Sequence, residues 1–223
     1  MIASMKNKLI VSCQAWPGTP FYGDPRMMRA MAESAQMAHA GGIRANGADD
    51  IREIKKTVSL PMIGIYKGLD KRGIRIITPD LESAKKLVDA GADIVAIDAT
   101  LDARTDEQEL LALIQAIRTD LGVPVMADIS NVDDALRAVR CGADIVATTM
   151  AGYTSYTHKT EGPDLDLIGR LVQAVEVPVI GEGRFARPME VHEAIRVRGA
   201  HSVVVGTSIT APWELTARFV RAI

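Results

Sequence analysis

Lys67 closes a run of apolar and glycine residues, Met62-Ile63-Gly64-Ile65-Tyr66, with Pro61 before it and Gly68 after. A run of that length between turn residues reads as a buried strand of a parallel sheet. Lysine is among the residues least often found inside a protein. Alternation along a strand places Lys67 on the face of Ile63 and Ile65. If that face is the core, the ammonium stands at the mouth of a cavity at the strand's C-terminal end, where α/β sheets bind their ligands. The plainer reading is a lysine that ends a strand and reaches out to water.

Other strand ends carry groups that could work with it. Gln14, Arg44, Asp98, Asp128, Thr148 with Thr149, Glu182 and Gly206-Thr207-Ser208 each follow an apolar stretch. Taken singly, each is a polar residue meeting solvent. A ring of amide, guanidinium, ammonium and carboxylate groups has no packing purpose. Gly183-Arg184 and Gly206-Thr207-Ser208 would let backbone N–H groups approach an anion, at the two loops where barrels commonly hold phosphate. A lysine and a carboxylate across a phosphate-anchored cavity suit proton abstraction beside a carbonyl, or Schiff-base chemistry. Either role needs neutral lysine, and at a pKa of 10.4 only roughly one molecule in 2,500 is neutral at pH 7. Burial must therefore lower that pKa. An ionised Glu182 close by would raise it, which suggests that Glu182 shares or relays the proton.

The elements that position these groups follow from the pattern. Strands are expected near residues 8–13, 42–46, 61–66, 93–98, 123–129, 143–149, 177–182 and 202–206. Two repeats interleave: Ala90-Gly91-Ala92-Asp93-Ile94-Val95-Ala96 is echoed by Cys141-Gly142-Ala143-Asp144-Ile145-Val146-Ala147, and Leu60-Pro61 by Val123-Pro124 and Val177-Pro178. In the first, a helix ends at glycine and a β-branched strand begins within a few residues. Asp24 and Pro25 open a helix to about His39, with Met27, Met28, Met31, Ala35 and Ala38 as its core stripe. A short helix is expected from Asp49 to Thr57, and a last one from Trp213 to Ala222. Eight such units without a composition break predict one α/β domain over residues 1–223. That domain is a (β/α)₈ TIM barrel with its active site at the C-terminal strand ends. A doubly wound sheet would need a glycine-rich turn after its first strand, and none is present.

Composition narrows the partners. The chain has 223 residues, 48% of them hydrophobic, and a net charge of −2. No clustered basic excess offers itself to nucleic acid, and no apolar run is long enough for a membrane. The first fifteen residues lack the apolar stretch of a secretion signal, so a soluble, cytoplasmic protein is expected. Cys13 and Cys141 read as buried thiols of a reducing compartment. The four histidines share no metal-ligand spacing, and no metal is expected.

The strand-end motifs resemble those of the N-acetylmannosamine-6-phosphate 2-epimerases, TIM barrels of the ribulose-phosphate-binding type. They are Ser12-Cys13-Gln14-Ala15, Gly42-Ile43-Arg44-Ala45-Asn46-Gly47, Gly64-Ile65-Tyr66-Lys67, Ile97-Asp98-Ala99-Thr100, Ala127-Asp128-Ile129-Ser130, Gly152-Tyr153-Thr154 and Gly181-Glu182-Gly183-Arg184. The resemblance implies interconversion of N-acetylmannosamine 6-phosphate and N-acetylglucosamine 6-phosphate in sialic acid breakdown, with no cofactor. It implies Lys67 as the base at C2 and Glu182 in positioning and proton traffic. Gln14, Arg44 and Asp128 would hold the sugar and its carbonyl, with Gly183, Arg184, Gly206 and Thr207 near the phosphate. The sequence is silent on oligomeric state, although dimers are common in such barrels. Where the family usually has arginine before the proline that follows strand eight, this chain has Ala211, which predicts weakened substrate binding. A phosphosugar aldolase or lyase using Lys67 as a Schiff base, and a barrel that binds a sugar phosphate without turnover, are the other readings.

Overall fold

The computed structural model describes every residue except residue 71. A single 3₁₀ turn, Ile2–Met5, precedes β1 (Leu9–Cys13), α1 (Pro25–Met37), β2 (Gly42–Asn46) and α2 (Ala48–Ile54). Then come β3 (Met62–Ile65), β4 (Lys67–Leu69), β5 (Arg75–Ile77), α3 (Leu81–Asp89), β6 (Ile94–Asp98) and α4 (Glu107–Asp120). The second half runs β7 (Val125–Asp128), α5 (Val132–Arg140), β8 (Ile145–Ala147), α6 (Leu165–Ala174) and β9 (Val179–Glu182). It ends with α7 (Pro188–His192), β10 (Ser202–Val205), α8 (Thr207–Thr210) and α9 (Pro212–Val220).

Eight strands close into a parallel barrel in the order β1-β10-β9-β8-β7-β6-β3-β2. This is the (β/α)₈ barrel that the alternation of apolar strands and amphipathic helices predicts. Every predicted strand is present, β2 with the bounds expected and the others trimmed by a residue or more. Asp24, Asp80, Asp106, Asn131 and Asp164 cap the helices that follow them by accepting backbone N–H bonds.

Two apolar layers hold the barrel. Inside it Ile10, Ile63, Ile65, Ile94, Met126, Ile145, Ile180 and Val204 pack together, with Met5 of the 3₁₀ turn joining them. Outside, strand residues such as Val11, Ile43, Met62, Val95 and Val146 meet the helices. Gly64 lies on that outer face, where a Cβ would come within 2.8 Å of Ala92 Cβ and 3.1 Å of Ile51 Cδ1. Glycine there lets α2 and α3 approach β3.

Three expectations need correction. Lys67 does not end β3: Tyr66 intervenes, and Lys67 opens an antiparallel hairpin of β4 and β5, registered Lys67↔Ile77 and Leu69↔Arg75. The methionine stripe of α1 divides, with Met28 buried and Met27 37% exposed; the core face is Met28, Ala32 and Ala35. The last helix lies where it was expected, with the short α8 before it, whereas α2 ends three residues before Thr57. Both cysteines are free and buried. Burial, with Asp50 nearby, pushes the Cys13 thiol up to about 12, which removes it as a nucleophile.

Candidate active site

Strand alternation builds the site directly on the apolar plug. Ile10, Ser12 and Gln14 follow one another on the inner side of the first strand and its extension, as do Met126 and Asp128 on β7 and Ile180 and Glu182 on β9. The apolar member of each series lies in the barrel interior and the polar one nearer its C-terminal mouth. A cavity of about 760 Å³ opens there. Of the nine predicted site residues, Gln14, Arg44, Lys67, Glu182, Gly183, Arg184, Gly206 and Thr207 line it. Asp128 does not; it is wholly buried behind Arg44.

Arg44 organises the centre. It is 1% exposed, and its guanidinium forms a fork on Asp128, with Nη1 donating to Oδ1 at 3.0 Å and Nη2 to Oδ2 at 2.7 Å. Nη1 also donates to Glu182 Oε2 at 2.8 Å. Burial works against the Arg44 charge, but the two carboxylates more than offset it and keep the group protonated. Thr149 Oγ1 lies 2.6 Å from Asp128 Oδ1 and 3.1 Å from Glu182 Oε2. Thr148 Oγ1 donates to the Glu182 carbonyl at 2.8 Å and accepts from its N–H at 2.9 Å. These contacts fix Glu182 in both backbone and carboxylate. Gln14 Nε2 donates to Ser12 Oγ at 2.6 Å, while its buried Oε1, like Arg44 Nε, has no partner among the described residues.

Lys67 stands on the opposite wall. In the circular strand order β3, which leads into the Lys67 hairpin, is four places from β9, half-way round an eight-stranded barrel. Lys67 forms no ion pair among the described residues. Instead its Nζ lies 3.8 Å from the centroid of the Trp16 ring. Its exposed surface opens into the cavity and into a smaller one beside the hairpin. Desolvation there, and then the charge of Arg44, lower its pKa to about 8 against the opposing pull of Glu182 and Asp128. Burial raises Glu182 to about 7, with Arg44 opposing. An amine and a carboxyl group that both titrate near neutrality thus line one cavity.

At the other end are the glycine loops. The N–H groups of Gly183, Gly206 and Thr207 donate to no acceptor among the described residues, and Gly183 has φ +108°, open to glycine but strained for other residues. Arg184 is tied down by its side chain, which donates to Gly162 O at 3.0 Å, Ala151 O at 2.8 Å and Thr160 Oγ1 at 3.0 Å. Ala211 lines the same end and is 2% exposed. Trp16, Ser12 and Arg218 also line the cavity and were not predicted. Trp16 sits in a Pro- and Gly-containing loop and Arg218 on an exposed helix, where neither period nor spacing marks a site. Among the described residues no group of histidine, cysteine or carboxylate side chains is arranged to hold a metal, and no helix is long and apolar enough to cross a membrane.

Comparison with known proteins gives a consistent result. Residues 28–223 match the model of a family described as "Putative N-acetylmannosamine-6-phosphate epimerase". A protein of Clostridioides difficile described as a "Putative N-acetylmannosamine-6-phosphate 2-epimerase" is 44% identical over 223 residues, covering 100% of this chain and 99% of its own. A protein of the same description from Caldanaerobacter subterraneus is 44% identical over 221 residues, covering 99% and 92%. Among solved structures, the N-acetylmannosamine-6-phosphate 2-epimerase of Clostridium perfringens superposes with a TM-score of 0.91 at 36% identity, covering 100% of this chain and 96% of that one.

Proposed function

The chain belongs to the N-acetylmannosamine-6-phosphate epimerase family, and on that footing we propose that it interconverts N-acetylmannosamine 6-phosphate and N-acetylglucosamine 6-phosphate by two-sided proton transfer at C2, within amino-sugar breakdown. The observation that carries this reading is the placement of Lys67 and Glu182 on opposite walls with both pKa values brought toward neutrality.

Inversion at a carbon beside a carbonyl requires the proton to leave one face and return to the other. In the open-chain sugar, neutral Lys67 takes the C2 proton, and the electron pair passes into the C1 carbonyl to give an enolate. Protonated Glu182 delivers a proton to the opposite face of C2, and the carbonyl re-forms. The reverse reaction uses the complementary states: ionised Glu182 abstracts and the Lys67 ammonium donates. Both directions draw on the pair carrying one proton, which is most populated between about 7 and about 8. The rate should be bell-shaped in pH, rising through the first value and falling through the second. Arg44 Nε and Gln14 Oε1, the two unpaired buried atoms, would hold the sugar's oxygen and N–H or hydroxyl groups. Asp128, wholly buried, would act through the Arg44 guanidinium that it holds.

The test is proton NMR of the purified protein with N-acetylmannosamine 6-phosphate in D₂O. The expected result is the 2-epimer with deuterium at C2, lost in Lys67→Ala, since a general base contributes on the order of 10²–10⁴. Absence of the epimer would overturn the assignment. A borohydride-trapped adduct on Lys67 would replace proton abstraction with Schiff-base chemistry.

A further inference from the structure

We propose that Arg218, on the last helix, is the cation that grips the phosphate of the substrate. The inference rests on the sugar-phosphate reading above and names the residue that completes its anion end. Three arginines line the cavity: Arg44, Arg184 and Arg218. Arg44 is held at the centre by Asp128 and Glu182, and the Arg184 guanidinium is fastened to the 151–162 loop by three hydrogen bonds. Arg218 pairs with no carboxylate among the described residues, and its one hydrogen bond there runs from Nη2 to Ser208 Oγ at 3.2 Å. Ser208 Oγ in turn donates to Phe185 O at 2.9 Å. The guanidinium is thereby placed where the loops after β9 and β10 meet, beside the free N–H groups of Gly183, Gly206 and Thr207.

The helix geometry explains the reach. Side chains of a helix lean toward its N-terminus, so Arg218 points back along α9 toward Ser208. Ala211, the N-cap residue of α9 seven positions earlier, opens on the same cavity. The cavity therefore receives a guanidinium from α9, while the residue that caps this helix is alanine. Four of the five N–H donors of Arg218 remain for a ligand, in a planar array suited to two phosphate oxygens at once. Glu161, the exposed carboxylate on this wall, lies on the segment that Arg184 tethers and makes no ion pair among the described residues.

The experiment measures inorganic phosphate binding by calorimetry, and KM and kcat for N-acetylmannosamine 6-phosphate, in the wild type and in Arg218→Gln. Losing charge-assisted hydrogen bonds should weaken phosphate binding and raise KM by about 10- to 150-fold, with kcat little changed, because phosphate is held alike in ground and transition states. Ala211→Arg should restore both in the Arg218→Gln background. Arg221→Gln, at the C-cap of the same helix and away from the cavity lining, should leave both values alone. Unchanged phosphate affinity and KM in Arg218→Gln would overturn the proposal, as would a loss that Arg221→Gln reproduces. If the wild type fails to epimerise while Arg218→Gln still loses phosphate affinity, the reaction is wrong and the role of Arg218 stands.

Discussion

Replacing Arg44 by methionine tests the buried centre of the site. The substitution keeps much of the side-chain length and removes the charge. Asp128, 0% exposed, would lose both arms of its fork and keep only Thr149 Oγ1 at 2.6 Å as a side-chain donor. Glu182 would lose its 2.8 Å partner. Removing one member of a buried pair costs about 3–5 kcal/mol, because the remaining charge stays buried and uncompensated. At about 2–4 °C per kcal/mol for a chain of this size, Tm should fall by roughly 6–20 °C. The titrating pair should respond as well. Arg44 holds down the pKa of both Glu182 and Lys67, so without it both rise and residual activity moves to higher pH. Thermal unfolding and a pH–rate profile measure the two effects on one preparation. The double variant Arg44→Met with Asp128→Leu separates the causes, since an apolar pair of similar volume should regain most of the lost stability. A single variant as stable as the wild type, or a double variant no better than the single, would refute the view that compensation of buried charge holds this centre together.

Glu182→Gln should abolish epimerisation yet leave deuterium exchange at C2 of the one epimer whose proton faces Lys67; loss of exchange in both epimers would refute two-sided transfer. The same variant removes a charge that raises the Lys67 pKa, so the limb due to Lys67 should move below about 8. Trp16→Leu removes the ring 3.8 Å from Lys67 Nζ, which favours the charged form. That limb should then move to lower pH while Tm holds, Trp16 being 40% exposed, and an unmoved profile would dismiss the contact as incidental.

The barrel was legible because buried parallel strands read as apolar runs between proline and glycine. The ring of strand-end groups was legible because polar residues interrupt those runs at the same relative place. The hairpin was not. Lys67-Gly68-Leu69 and Arg75-Ile76-Ile77 are too short and too mixed in polarity to announce strands, and Lys67 read as the tail of β3. Asp128 was correctly placed at a strand end, but its burial depends on Arg44 reaching across from β2, a contact that no local pattern encodes. Sequence reasoning expected Ala211 to leave the anion end without its cation. Arg218 escaped notice because a charged residue on an exposed helix looks like any solvated face.

Lys67 and Glu182 differ in how they are mounted. Glu182 is a member of the closed barrel and is latched at both its carbonyl and its N–H by Thr148. Lys67 rides on a ribbon added to the rim. That ribbon is seated through Ile77, which reaches the barrel interior, through Thr78, whose Oγ1 donates to Ala96 O at 2.7 Å, and through Asn46 Oδ1, which accepts the Lys67 N–H at 2.8 Å. The gap between Lys67 and Glu182 is thus set by one fixed jaw and one attached jaw. Lengthening the connection between β4 and β5 would adjust the attached jaw alone, without altering any strand pairing of the barrel.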